Sequence, residues 1–386
     1  MLNKYLLEME EKNLFYHVTQ RVAAYKKEHP DEFFISLGIG DVSRPVVPAV
    51  IEAMHKAVDD LASPETFRGY GGYYGYDFLR QAILDNEYGK YGFSVNEIYV
   101  SDGTKSDSTN ILELFDINSK ILIGNPTYPI YRDGALALSR KVYEGKNDEN
   151  FKMLIPKEHY DIIYLCSPNN PIGNAYTKEE YEAWIDYALK NNAVLIVDNV
   201  YRNFIQSENV PDSIYELEGS KKVAIEMRSF SKVASFTGVR CSYFVLPDEI
   251  DENINYYWQK RTINRFNGAS YIAQRGAEAS FKPEARAMMK ENIRYYQENA
   301  RVLREGFEKA GFSLIGGIDA PYMWVKTKDN LTAWEMFDIF LKEMNIIIIP
   351  GVIFGSQGEG YFRISALGNI DLSRQAIERI TRYYEK

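Results

Sequence analysis

The sequence predicts an α/β protein with a large, mainly parallel sheet flanked by helices, followed by a smaller α/β unit. Three observations carry that expectation. Short apolar runs, such as Ile162 to Leu165 and Ala193 to Val197, alternate with helical patterns along the first two thirds of the chain. The runs are apolar throughout rather than at every second residue, so both faces of their sheet are covered. Near Lys282 the pattern changes: a long helix from about Glu284 to Ala310 leads into a strand, helix, strand and final helix ending at Tyr384. A chain of 386 residues suits one large domain and a smaller one. The expected division is residues 1–45 as an N-terminal arm and part of the smaller unit, 46–283 as the large domain, and 284–386 as the small C-terminal domain. Phe33 to Gly40 is the part of the arm that either joins the smaller unit or links the two.

Each element has a local reason. Pro48 suits a first helical turn, and Val50, Met54, Ala57 and Leu61 then fall on one face of a helix to Ala62. Asp77 to Tyr88 reads as a second helix. Glu97 to Val100 is a short strand entering SDGTKSD, with a helix following through Asn110 to Leu114. Lys120 to Ile123 is a strand leading to NPTYPIY, and Ile162 to Leu165 one leading to CSPNNPIGNAYTKEE. Thr177, with Glu180 three residues later, forms a capping box at the next helix. Ala193 to Val197 ends at Asp198, and Val223 to Glu226 precedes SFSKVASFTGVR, Ser229 to Arg240.

Composition excludes several function classes. The formal net charge is -9 and the pI about 5.3, so there is no electrostatic footprint for nucleic acid. There is no run of 18 apolar residues and hence no expected membrane span. The acidic N-terminus lacks a secretory core, and a cytoplasmic location is expected. Two cysteines, Cys166 and Cys241, make no disulfide framework. The four histidines, His17, His29, His55 and His159, have no metal-ligand spacing, so no metal is expected.

The chemistry concentrates in a few segments. An ordinary lysine is protonated near neutral pH and is a poor nucleophile. Lys232 has serines three and one residues before it and an arginine eight after. Its amine can join an aldehyde cofactor through a C=N bond while Ser229, Ser231 and Arg240 hold that cofactor's phosphate. Alone, the same segment also reads as a loop with a solvated lysine. Asp198, directly after a strand, can pair with a protonated pyridine nitrogen, and Tyr201 three residues on can bond the ring's phenolic oxygen; an aspartate there is equally an ordinary turn residue. Asn170 in SPNNPIG can donate to the same oxygen. Tyr128, between two prolines, can stack on a flat ring or simply cover a loop. Gly103, Thr104 and Lys105 open a helix, where free N–H groups form a phosphate site unless Asp102 is only a cap. Arg363 sits in an apolar strand, where a substrate carboxylate or an internal salt bridge would satisfy its guanidinium. GYGGYYG, Gly69 to Gly75, follows no convincing strand and is not a dinucleotide loop.

Taken together, DGTK, NPTYP, SPNNPIG, DNVY, SFSK…GVR and FRIS occur in the order found in class I/II pyridoxal-phosphate aminotransferases, which this chain resembles. LGIGDVSRP, ETFRGYG, VSDGTKSD, RSFSKVASFTGVRCSY, RFNGASY and GEGYFRISALG are similar to one branch, the LL-diaminopimelate aminotransferases. The resemblance implies the fold type I architecture of pyridoxal-phosphate-dependent transferases, pyridoxal 5'-phosphate as cofactor, and a homodimer with shared active sites. It implies transfer of an amino group from an L-amino acid to a 2-oxo acid, with 2-oxoglutarate the expected acceptor. Carried over by motif, Lys232 is the covalent anchor and acid/base catalyst, Asp198 pairs the pyridine nitrogen, Asn170 and Tyr201 contact the ring oxygen, and Tyr128 stacks. Ser229, Ser231, Arg240 and the Thr104–Lys105 amides bind phosphate, joined by Tyr70 from the other subunit. Gly40, Asn267, Lys105, Tyr128 and Asn170 line the substrate site, and Arg363 takes the α-carboxylate.

Two departures concern specificity. Asn13 stands where the branch has a substrate-touching tyrosine, and Tyr73 where it has the carboxylate that recognises a distal ammonium. The catalytic set is complete and the specificity set is not, which implies an amino donor other than diaminopimelate. The alternatives are a true LL-diaminopimelate aminotransferase of lysine biosynthesis and, from another class, a non-catalytic cofactor-binding regulator. The latter usually carries a DNA-binding region, for which this acidic chain has no evident segment.

Overall fold

The computed structural model describes residues 3–5, 14–38 and 40–385. Strand β1, Ile35–Ser36, precedes the main sheet. That sheet has seven strands: β2 (Ile98–Ser101), β3 (Ile121–Ile123), β4 (Val142–Glu144), β5 (Ile162–Cys166), β6 (Val194–Asp198), β7 (Ala224–Ser229) and β8 (Ser242–Val245), in the order β2-β8-β7-β6-β5-β3-β4. Strands β3 to β7 pair in parallel, while β8 runs antiparallel to β7 and β2. The strands expected for this sheet are all present, with ends shifted by one to three residues. Strands β4 and β8 were not expected. β8 follows the lysine segment so closely that it reads as the tail of that motif.

Strands β5 and β7 are buried along their whole length, as continuous apolar runs require. One layer of core packs Trp184, Ile185, Leu195, Val197 and Phe236 against one face, and another packs Tyr131, Tyr164, Ile196 and Phe244 against the other. The capping box is made: the Glu180 N–H donates to Thr177 Oγ1 at 3.3 Å and the Thr177 N–H to Glu180 Oε2 at 2.7 Å. The expected helix from Asp77 ends its α-helical part at Ile83 and continues as a π turn, Leu84–Tyr88.

Beyond the helix Pro283–Lys309 come β9 (Leu314–Gly316), β10 (Tyr322–Lys326), β11 (Ile346–Ile347), β12 (Ile349–Pro350) and β13 (Tyr361–Ser365). Four form an antiparallel sheet in the order β12-β13-β10-β9, and β11 pairs in parallel with β1. The expected strand, helix, strand, helix series is therefore too sparse. Gly316 and Gly317 both take left-handed φ, 87° and 76°, which folds Leu314–Lys326 into a hairpin instead of a single strand. The long helix reaches across the chain: the Asn299 side chain donates to the Ala366 carbonyl at 2.8 Å, and the Tyr296 hydroxyl accepts from the Arg44 N–H at 2.6 Å.

One polar hub stabilises the large sheet from inside. Glu226 on β7 is fully buried, and it accepts from Tyr88 Oη at 2.6 Å, Arg228 Nε at 2.9 Å, Asn199 Nδ2 at 3.0 Å and Ser213 Oγ at 3.0 Å. A carboxylate taken out of water persists only when paired this fully. Glu226→Ala removes the closer of the two carboxylates that pair with buried Arg228 and is expected to cost about 3–5 kcal/mol, against about 1–3 kcal/mol for Tyr88→Phe, read from urea unfolding midpoints.

Candidate active site

Strands β5, β6 and β7 end side by side, at Cys166, Asp198 and Ser229, where ligands collect in open α/β sheets. A cavity of about 550 Å³ opens there. Its walls include Gly40, Thr104, Lys105, Tyr128, Asn170, Asp198, Tyr201, Ser229, Ser231, Lys232, Arg240 and Arg363, all singled out in the sequence. Three further residues are not brought to it. Tyr70 is 90% exposed, Tyr73 is 40% exposed and Asn267 is exposed, none of them on the cavity wall. Their two loops touch: a Cβ on Gly268 would lie 3.0 Å from the Gly72 carbonyl. Asn13 lies outside the described residues.

Asp198 closes the floor. The hydroxyl of Tyr131 donates to its Oδ2 at 2.6 Å, while Oδ1 is buried without a hydrogen-bond partner. Burial raises its pKa to about 6, against the lowering effects of Tyr131 and the Val200 N–H. Lys232 lines the same cavity, on a four-residue helical turn opened by the Ser229 side chain. Its Nζ donates to the Gly40 carbonyl. Burial lowers its pKa to about 8; Asp41 opposes that shift, and Arg363 and Arg240 add to it. The amine is thus partly neutral at physiological pH, which an exposed lysine is not.

At one end of the cavity hydroxyls and N–H groups gather. Ser229 Oγ accepts from the Ser231 N–H at 3.0 Å, and Arg240 Nη1 donates to Ser231 Oγ at 3.3 Å. Arg240 reaches over Gly103, where a Cβ would lie 2.1 Å from its Nη2, so only glycine admits the guanidinium. The helix Thr104–Asn110 starts there, and its first two N–H groups, on Thr104 and Lys105, have no intrahelical acceptor. The expected alternative, a side-chain cap by Asp102, is not made: Gly103 is the N-cap and no side chain caps it.

At the other end stands Arg363 on β13, buried, with Nη1 donating to Asn170 Oδ1 and Nη2 to the Gly38 carbonyl, each at 2.8 Å. Its Nε is buried without a partner, and among the described residues it forms no ion pair with a carboxylate. The guanidinium packs on Tyr322 and Phe354, 4.6 and 4.8 Å from their ring centres. Binding Asn170 through its oxygen leaves that residue's amide nitrogen free to face the cavity. Tyr128 is half-buried on the wall, with burial raising its pKa to about 12.

Sequence reading missed six wall residues: Phe15, Tyr131, Cys166, Val200, Thr237 and Tyr322. Tyr322 meets the Tyr201 hydroxyl at 2.9 Å, and a Cβ on Gly40 would lie 3.0 Å from the Tyr322 oxygen. Tyr131, Val200 and Thr237 had a signal, since they fall inside NPTYPIY, DNVY and SFSKVASFTGVR. Burial pushes the thiol of Cys166 up, so it behaves as a small apolar group. Among the described residues no cluster of metal ligands occurs and no helix is long and apolar enough to cross a membrane.

Residues 33–380 match the family described as Aminotransferase class I and II. An LL-diaminopimelate aminotransferase of Agathobacter rectalis is 45% identical over 95% of this chain and 96% of its own length. One of Lawsonia intracellularis is 42% identical over 98% of each chain. Among solved structures, L,L-diaminopimelate aminotransferase from Chlamydomonas reinhardtii superposes with a TM-score of 0.90 at 35% identity, covering 96% of this chain and 95% of that one. With the cavity at the strand ends, these matches make the chain a member of the class I and II aminotransferases, the family of pyridoxal-phosphate-dependent transaminases to which its motifs pointed.

Proposed function

We propose that the cavity holds pyridoxal 5'-phosphate and moves an amino group from an L-amino acid to a 2-oxo acid, 2-oxoglutarate serving as acceptor. The observation that carries this reading is the unpartnered Asp198 Oδ1, buried in the cavity that Lys232 also lines. A protonated pyridine nitrogen is the partner it lacks. Ser229, Ser231, Arg240 and the Thr104 and Lys105 N–H groups would hold the phosphate; Asn170 and Tyr201 would bond the ring oxygen, and Tyr128 would lie against the ring. Bound there, the cofactor supplies an aldehyde for the substrate amine and a ring that takes up the electrons of the breaking Cα–H bond. The protein supplies the proton transfers and the geometry. Neutral Lys232 takes the Cα proton, and its ammonium form gives a proton back. Arg363 fixes the substrate carboxylate, so that Cα faces Lys232. Tyr322 braces Tyr201 through their shared hydrogen bond.

The unit that works is a dimer of this chain. Tyr70 is almost fully exposed beside Phe67, 59% exposed, which suits a segment that inserts into a second copy. Tyr70 then completes the partner's phosphate site, and Tyr73 and Asn267, on the same surface, meet the distal end of the partner's substrate. A phenol at Tyr73 lacks the charge-assisted bond that a carboxylate gives to an ammonium, so the donor has no distal ammonium. The shared name of the relatives favours the second reading, LL-diaminopimelate as donor.

Lys232→Ala is expected to lower turnover by about 10⁴-fold or more in a coupled transamination assay, with folding preserved. Asp198 has the opposite signature in stability. Its pKa is raised, so between 3.8 and about 6 the folded chain binds the extra proton and this group's contribution to stability falls as pH rises. At pH 7 the cofactor-free Asp198→Asn protein should therefore melt no lower than its parent, while binding the cofactor at least about tenfold more weakly by absorbance titration. A panel of amino donors with 2-oxoglutarate decides specificity: Tyr73→Glu should raise kcat/KM for LL-diaminopimelate by about ten- to a hundredfold. A parent enzyme that already prefers diaminopimelate establishes the second reading.

A further inference from the structure

A second cavity, of about 400 Å³, shares the Val200 and Ser229 walls with the first. Its other side is the helix Pro283–Lys309, which presents Arg286, Lys290 and Arg294 at four-residue spacing and hence on one face. Its floor is Asn199 and Arg228, the residues after Asp198 and before Ser229, each 3% exposed. Two floor atoms, Asn199 Oδ1 and Arg228 Nη1, are buried without a hydrogen-bond partner, Nη1 having only its ion pair with Glu87 Oε2 at 3.5 Å.

Charge is unevenly matched here. Glu87 is the one carboxylate on the walls, and it is shared by Arg202 at 2.7 Å, Arg228 at 3.5 Å and Arg286 at 3.8 Å. Arg202 and Arg228 have second carboxylates outside the cavity, Asp212 and Glu226, and Arg294 has Glu291. Lys290 forms no ion pair among the described residues. A ligand with several acceptor oxygens would meet Arg228 Nη1 below and Lys290, Arg286 and Arg294 above, and a hydroxyl on it would donate to Asn199 Oδ1.

We propose that this cavity binds a small polyanion bearing carboxylate or phosphate groups, and that its occupancy alters turnover. The coupling is covalent and short, because Asn199 adjoins Asp198 and Arg228 adjoins Ser229. The effect on turnover rests on the roles proposed above for those two residues; binding does not.

The test is calorimetric titration of the cofactor-loaded enzyme with citrate and, separately, with pyrophosphate, which distinguishes the two oxygen chemistries. At least one probe should bind saturably at one site per chain, at least about tenfold more weakly in the Lys290→Gln, Arg294→Gln double variant, and within about twofold of the parent in Arg363→Gln. The same probe should change kcat/KM of the parent at least about twofold and leave the double variant unaffected. Absence of saturable binding overturns the site, as does binding that survives the double variant or is lost in Arg363→Gln, which would place the probe in the catalytic cavity. Binding without a change in kcat/KM overturns the regulatory half.

Discussion

Everything in this site is arranged around a carboxylate that is buried and only half satisfied. Asp198 ends β6 between Cys166 and Met227, its register partners on β5 and β7, and neither can donate a strong hydrogen bond. Tyr131 fills one oxygen, and the other is left bare. An unpaired charge in that position costs free energy, and the raised pKa expresses the cost. The parallel sheet creates the condition, since only strand ends enclosed on both sides can bury such a group while leaving it open towards a cavity.

The neighbouring strand shows the same chemistry resolved the other way. Glu226 on β7 lies one register step from Asp198 and is also buried, yet it gathers five donors. A carboxylate with every lone pair occupied serves the fold. One with a vacant oxygen on the wall of a cavity stays open to a ligand. Two adjacent strands thus carry a structural and a chemical version of one residue type, separated by their hydrogen-bond inventory rather than by burial.

How much of this was legible follows from distance along the chain. Lys232, Ser229, Ser231 and Arg240 lie within twelve residues, and Asp198 and Tyr201 within four, so local spacing carried their chemistry. Tyr322 was not legible, because its partner Tyr201 is 121 residues away and nothing near Tyr322 marks a site. Strand β8 was hidden by a motif, and the β9–β10 hairpin by reading an apolar run without weighing its two glycines. Tyr70, Tyr73 and Asn267 show a different limit: a single chain keeps them on its surface, and the roles proposed for them rest on a contact between copies.

Arg363 belongs to the small sheet, yet its two bonded nitrogens hold the loop after β5 of the large sheet, through Asn170, and the backbone beside β1, through Gly38. The group that would grip a substrate carboxylate is therefore also a clasp between three separate stretches of chain. Its grip on the carboxylate and the fit of the two sheets become one mechanical quantity. Looseness introduced far away, in β13 or the arm, would register at the cavity as poorer substrate affinity before any catalytic group had moved.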